Sequence, residues 1–245
     1  MQLTCAHCGK PINGKYLMDH WGNSYCANHL KMALRCDYCG RFMSKKLTGG
    51  GKSYPDGRRI CGLCLPAAVT DLSEGKKLLE SIKEKLENKG ITIHPFKPDF
   101  YLISRSKLKE LDPGSTGGNS EKQGFAAFRR RMVNGQITDF RMEIFILDGL
   151  PESSFITACA HELMHIWFYS RNITDCSPSL IEGSCQMAAY LVLSELKTGE
   201  AEYRIKELFA DRSKVYGGGF KKAHALVSRR GVYGWLKHIE TTKRF

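Results

Sequence analysis

Nowhere in the 245 residues does an apolar run approach the roughly 18 consecutive residues of a membrane-spanning helix, so a helical membrane protein is excluded. No apolar segment precedes the first cysteine at position 5, so the sequence shows no secretory leader. The expectation is a cytoplasmic, reducing setting, where cysteines hold metals more often than they form disulfides. Acidic residues are few, 25 against 37 Lys and Arg, for a formal charge of +12. Also lacking is a stripe of basic residues interleaved with aromatics, the footprint of a nucleic-acid face. The basic residues are instead scattered, with small clusters at Lys45-Lys46, Arg129-Arg130-Arg131 and Lys221-Lys222. They read as a solvated surface, with an acidic protein partner as the next reading and no nucleic acid expected.

What is abundant is cysteine, and it is concentrated. Seven of the ten cysteines fall before residue 65, as Cys5-x-x-Cys8, Cys26-x-x-His29, Cys36-x-x-Cys39 and Cys61-x-x-Cys64. Each pair offers two ligands to a tetrahedral ion, so four pairs predict two structural Zn²⁺ sites. Sequential pairing places Cys5, Cys8, Cys26 and His29 on one ion and Cys36, Cys39, Cys61 and Cys64 on the other, as in LIM modules. A cross-brace would exchange the middle pairs, as in RING ubiquitin ligases. The six residues between His29 and Cys36, with Trp21 and Tyr25 ahead of the second pair, favour the LIM-like order. His20 is a spare histidine nearby, read as a surface or core residue.

The second constellation is His161-Glu162-Leu163-Met164-His165, an H-E-x-x-H pattern inside an expected helix. Residues i and i+4 share a helical face, so both imidazoles can reach one Zn²⁺, and Glu162 can reach a water beside it. Ser153 and Ser154 after Pro151 are the expected N-caps, and Ile156, Ala160, Leu163 and Trp167 supply an apolar stripe that leaves both histidines on another surface. A third ligand is sought downstream. Glu182 is favoured, although Ser179-x-x-Glu182 also reads as a capping box, and Asp175 is the competing carboxylate. In this reading Zn²⁺ activates a water, Glu162 takes the proton and passes it to the leaving amine, and Tyr216, beside flexible glycines, stabilises the oxyanion.

Between these constellations the periodicity predicts a helix over 71–88, with Leu72, Leu79, Ile82 and Leu86 inward and Gly90 as its stop. Short strands are expected at 91–93 and 100–103, a mobile polar loop over 113–123, and a hairpin of 125–133 with 137–147 turned by Asn134-Gly135. Such a hairpin could offer a strand edge to an extended peptide. Beyond Glu182, helices are expected at 185–196, 200–211, 221–229 and 233–239, with 216–220 a glycine-rich break. Cys159 and Cys185 read as small core residues and Cys176 as a turn residue.

Taken together, these residues resemble the LIM-domain metallopeptidases of the plant organ-size regulators (the DA-one-like peptidases) and their bacterial relatives. The resemblance runs through Tyr25-Cys26-x-x-His29, Arg35-Cys36-x-x-Cys39, Asp56-Gly57-Arg58-x-x-Cys61-x-x-Cys64, His161-Glu162-x-Met164-His165, Glu182-Gly183-x-Cys185-Gln186, Val215-Tyr216-Gly217-x-Gly219-Phe220 and the ending 236–245. It implies a gluzincin-type peptidase with metal at His161, His165 and Glu182, and substrates or regulation linked to ubiquitin. Plant members carry ubiquitin-interacting helices upstream of the LIM region; this sequence opens almost at its first zinc pair, so activation through those helices is not carried over. The expected fold class is α+β: a LIM-like double zinc-binding module at 1–69, then a gluzincin-like metallopeptidase domain at 70–245, holding two structural and one catalytic Zn²⁺. The expected partner is a protein substrate, with ubiquitin or ubiquitinated proteins as further candidates. The rivals are a LIM-type adaptor with a silent peptidase domain and a RING-like ubiquitin ligase.

Overall fold

Cys5-Ala6-His7-Cys8-Gly9 and Cys36-Asp37-Tyr38-Cys39-Gly40 fold into the same tight turn. Gly9 (φ 75°) and Gly40 (φ 70°) supply its left-handed residue, and their N–H groups donate to the carbonyls of Cys5 (2.7 Å) and Cys36 (3.0 Å). The computed structural model describes residues 2–29, 34–93, 95–113, 122–133 and 136–245, and the chain divides into two compact units, Met1–Ala68 and Val69–Phe245.

In the first unit each turn is followed by a short antiparallel hairpin. The strands are β1 (Tyr16–Met18) with β2 (Ser24–Cys26), and β3 (Gly51–Ser53) with β4 (Arg59–Cys61). A single helical turn, α1 (Lys45–Thr48), precedes β3 and is capped by Ser44, whose hydroxyl accepts from Leu47 N–H. Tyr25, Phe42 and Ile60 are fully buried, and the Tyr25 and Phe42 rings meet edge to face at 4.4 Å. Trp21 Nε1 donates to the Cys39 carbonyl at 2.8 Å, tying the first half to the second knuckle. His20 sets its ring edge-on against Trp21.

The second unit follows a short strand, β5 (Ala68–Val69). Asp71 caps α2 (Leu72–Glu87) by accepting from Glu74 N–H, and Gly90 (φ 87°) ends the turn after it. Leu79, Ile82 and Leu86 are buried as the periodicity requires, but Leu72, expected inward, is exposed. At the first helical position Leu72 lies beyond the packed stripe, and Gly75 takes the inward place against Phe100 and Phe155. Ile91 and Ile93 are buried but form no strand. Their apolar character reflects core packing, which a strand-like alternation imitates.

A three-stranded sheet has the order β6 (Asp99–Ile103), β8 (Gln136–Leu147), β7 (Gly124–Val133). β8 is central, parallel to β6 and antiparallel to β7. The hairpin lies where the sequence placed it; its expected turn, Asn134-Gly135, falls outside the described residues, as does most of the 113–123 loop. The helix α3 (Arg105–Leu111) follows β6, and a two-residue strand, β9 (Leu150–Pro151), leads into α4 (Glu152–Ser170). Pro151, not Ser153 or Ser154, is the residue before the first turn, and both serines lie inside the helix. Proline's fixed φ already suits a helix entry. Ser154, fully buried, accepts from Arg204 instead.

α4 and α5 (Pro178–Leu196) form the centre of the unit, with Leu163, Trp167, Ala188 and Val192 buried between their neighbours. α6 (Gly199–Ala210) and α7 (Tyr216–Thr242) pack outside them. The glycines at 217–219, expected to break the chain, instead begin α7. A Cβ on Gly183 of α5 would come within 2.2 Å of the Gly219 backbone carbon, so the two helices meet backbone to backbone. That approach outweighs the poor helix propensity of glycine, roughly 1 kcal/mol each. The two closing helices expected at 221–229 and 233–239 are present as the two arms of α7, separated by the non-helical Gly231 (φ 69°, ψ 176°).

Candidate metal centre

The cysteine-rich pairs come together in sequential order: Cys5, Cys8, Cys26 and His29 in one group, Cys36, Cys39, Cys61 and Cys64 in the other. Middle pairs are not exchanged, so the arrangement is not a cross-brace. In the second group Cys39 Sγ stands 3.7 Å from Cys61 Sγ. Four sulfurs about 2.3 Å from a central zinc would be about 3.8 Å apart, so the spacing fits a Zn²⁺. Backbone amides also point at the sulfurs: Cys26 N–H donates to Cys5 Sγ and Cys61 N–H to Cys36 Sγ, both at 3.4 Å. Burial alone would raise the Cys5 thiol, but amide donors at Cys26, Cys8 and His7 bring it down to about 7. Neighbouring thiols pull Cys36 down and push Cys39 and Cys64 up, as expected where four sulfurs compete to ionise without a cation.

The third group lies between α4 and α5. The helical repeat puts His161 and His165 on one face of α4, their ring centroids 5.1 Å apart. Glu182 reaches across from α5, its Oε2 3.2 Å from His161 Nε2 and its Oε1 3.7 Å from His165 Nε2. Nitrogen and oxygen donors about 2.0–2.1 Å from a zinc would stand about 3.3 Å apart, so this trio also fits the ion. Glu182 is not in a capping box: Ser177 caps α5, Pro178 takes the first helical position, and Glu182 falls a turn further in. Asp175 is elsewhere, paired with Lys243 at 2.6 Å.

A further donor was not assigned from sequence. Cys185, fully buried on α5, has its sulfur within 4.8 Å of the donor atoms of His161 and His165. It lies in the core, as its sequence reading has it, and its sulfur also stands near the imidazoles; its spacing of three residues from Glu182 is the local signal of that approach. The three groups are consistent with three zinc sites.

Glu162 is buried beside this cluster. Burial pushes its carboxyl up to about 7, against the opposing charges of His161 and Lys122, and an Ala126 backbone hydrogen bond helps hold it. Gly124 gives it room, since a Cβ there would sit 2.9 Å from Glu162 Cγ. Burial pulls both histidines down. His165 falls to about 3, whereas the Glu182 hydrogen bond and the nearby carboxylates leave His161 raised. Glu182 is raised by burial but more than offset by its bond to His161 and the charges around it, and ends low. Tyr216 lies with its ring 6.5 Å from that of His161 and nearly parallel, held there by the close contact of α5 with α7. Tyr169, one turn past His165 and missed from sequence, stacks on that histidine at 6.3 Å. Burial, then the nearby carboxylates, push both phenols up to about 12, so both remain hydrogen-bond donors. Lys122, ion-paired with Asp112, adds positive charge felt by all three donor residues and Glu162; nothing in the local pattern marks it.

No helix among the described residues is long and apolar enough to cross a membrane. A family model described as "DA1-like: Protein DA1" matches residues 121–204, which include β7, β8, α4 and α5. Protein DA1 of Arabidopsis thaliana is 27% identical over 99% of this chain and 56% of its own length. The LIM domain-containing protein HDR3 of Oryza sativa subsp. japonica is 26% identical over 92% and 57%. Protein DA1-related 2 of Arabidopsis thaliana is 26% identical over 96% and 56%. The chain therefore spans about half the length of the curated relatives it matches. No solved structure matches. The family match across α4 and α5, and the likeness to these relatives over nearly the whole chain, make this chain similar to DA1-like proteins and their LIM-domain homologues.

Proposed function

We propose that the protein is a zinc-dependent endopeptidase of the gluzincin type, acting on protein substrates, with a LIM-like double zinc module ahead of the catalytic domain. The observation that carries this is the meeting of His161, His165 and Glu182 from two helices, with Glu162 buried beside them. His161, His165 and Glu182 would hold the catalytic ion, which when bound supplies Lewis acidity at the scissile carbonyl and a water acidified to roughly pH 7. Glu162 takes up the proton at its carboxylate and gives it to the leaving amine; a carboxyl held up to about 7 suits both steps. The Ala126 amide and the gap at Gly124 orient that carboxylate. The Tyr216 phenol donates to the developing oxyanion. β7, at the edge of the three-stranded sheet and packed against α4, provides main-chain groups for an extended peptide. The resemblance to DA1-like proteins points to ubiquitin-linked substrates as the class to screen first.

The adaptor reading keeps the cysteine groups but leaves α4 without a metal. The sequential pairing of those groups counts against a RING-like ligase. Metal content and turnover of Glu162→Gln and Glu182→Ala separate the remaining two. The expected result is three zincs and no cleavage in Glu162→Gln, and about two zincs in Glu182→Ala. Wild-type turnover in Glu162→Gln would overturn the mechanism, and two zincs in the native chain would put the adaptor ahead.

A further inference from the structure

The face of α4 that carries the metal donors continues past His165. Tyr169 stands one turn further on, so His161, His165 and Tyr169 share that face. The Tyr169 ring lies nearly parallel to that of His165, 6.3 Å away, and the Phe128 ring of β7 lies nearly parallel to Tyr169, 5.7 Å away. β7 and α4 run side by side in the same sense: Gly124 and the Ala126 amide meet Glu162, and Phe128 meets Tyr169. The strand from Gly124 to Phe128 covers about 13 Å and the helix from Glu162 to Tyr169 about 10 Å, so the two stay in step. The side of β7 that faces α4 therefore changes character along its length. Beside Glu162 it carries only Gly124 and Ala126, which leaves room for a peptide backbone. Beyond them it carries the half-buried Phe128, set against the half-buried Tyr169. Phe125, on the opposite side of the strand, stacks instead on Phe145 at 6.3 Å.

We propose that Tyr169 and Phe128 form a side-chain subsite that selects protein substrates with a large apolar residue, Phe, Tyr, Leu or Met, within two residues on the amino side of the cleaved bond. This rests on the peptidase reading. Among the described residues β7 is an edge strand, and a peptide added there pairs best antiparallel, the slightly more stable arrangement. It then passes Phe128 before it passes Gly124 on the way from its amino to its carboxyl end. With the scissile carbonyl at the histidines, the one or two preceding residues reach back about 3 to 7 Å. Tyr169 lies one helical turn, about 5 Å, from His165, so those residues come level with it. Alternate side chains of an added strand face α4, so one of the two turns onto the Phe128–Tyr169 pair. Aromatic faces give a large apolar side chain the contact area that Ala lacks.

The test is the cleavage profile of the zinc-loaded full chain on a proteome-derived peptide library, with the cut sites read by mass spectrometry. The expected native profile is enriched for Phe, Tyr, Leu and Met at one of the two positions before the cut. Two synthetic peptides follow from it, one with the apolar residue and one with Ala in its place. The native chain is expected to favour the apolar peptide about tenfold in kcat/KM. Tyr169→Ala slows that peptide and leaves the Ala peptide little changed, whereas Tyr169→Phe, which keeps the ring, retains the preference. Glu162→Gln, expected to bind without cleaving, ranks the two labelled peptides in the same order by fluorescence anisotropy. Equal loss on both peptides in Tyr169→Ala would make that residue a support for His165 and overturn the proposal. A native profile without apolar enrichment before the cut also overturns it, and both results leave the peptidase reading standing. A library left uncut removes both. The native profile decides the point even where a variant folds poorly.

Discussion

Tyr216 lies against His161 and Gly124 against Glu162, and each has its own signature. Tyr216 touches His161 through its ring and stays protonated far above neutral pH, since burial and the carboxylates around it hold its phenol up to about 12. In the proposed role of oxyanion donor it would work only in the transition state. Tyr216→Phe is therefore expected to lower kcat by roughly a hundredfold with KM and zinc content little changed, on any peptide the native chain cleaves. A change confined to KM would make it a binding residue instead. Gly124→Ala places a methyl against Glu162, so turnover is expected to fall while the metal remains, as measured by steady-state rates beside elemental analysis. The histidines, Glu162 and Glu182 were legible in the sequence because an i, i+4 repeat and a carboxylate at helical return distance are local patterns. Cys185, Tyr169 and Lys122 were not, although Cys185 lies one turn beyond Glu182 and Tyr169 one turn beyond His165. Burial and apolar periodicity describe Cys185 equally well as core, and only the docking of α5 on α4 brings its sulfur to the imidazoles.

Helix contacts carry the next level. Gly183 and Gly219 let α5 and α7 approach until a single methyl on either would overlap backbone. Gly183→Ala is expected to destabilise the chain by about 1–3 kcal/mol, read as a lower urea midpoint. Gly218→Ala, whose Cβ would meet only the Ser213 carbonyl at 3.5 Å, is expected to be neutral or to gain up to about 1 kcal/mol. Equal loss in both would mean that the segment, not the contact, is sensitive. The same contact explains the clearest misreading of the sequence: Tyr216-Gly217-Gly218-Gly219-Phe220 has the composition of a break, yet it is the first turn of α7. Propensity is a local quantity, and here a long-range approach overrides it. The hairpin and α2 were visible because alternation or a 3.6-residue repeat runs through each, whereas α4, buried on nearly all sides, was visible through its H-E-x-x-H pattern. Ile91 and Ile93 imitated a strand because isolated buried residues two apart cannot be told from one.

Across the whole molecule the two units divide the labour of staying folded. Among the described residues every α-helix but α1 belongs to Val69–Phe245, whose apolar core needs no metal to be continuous. Met1–Ala68 has short strands and few large buried side chains, and small units of this kind depend on their ions. Strong chelation is expected to open residues 1–68 to protease while the far-UV helical signal survives; simultaneous loss of both would show that the units stand or fall together. The three donor groups share one further property. Each is drawn from a stretch of about 30 residues or fewer, so none requires the two ends of the chain to find each other. A ribosome releasing this chain from its N-terminus would thus present the sites for loading one after another. The two sulfur-rich groups would be complete long before α5 emerges, so metal would be committed first to the groups of the first unit and last to the one between α4 and α5.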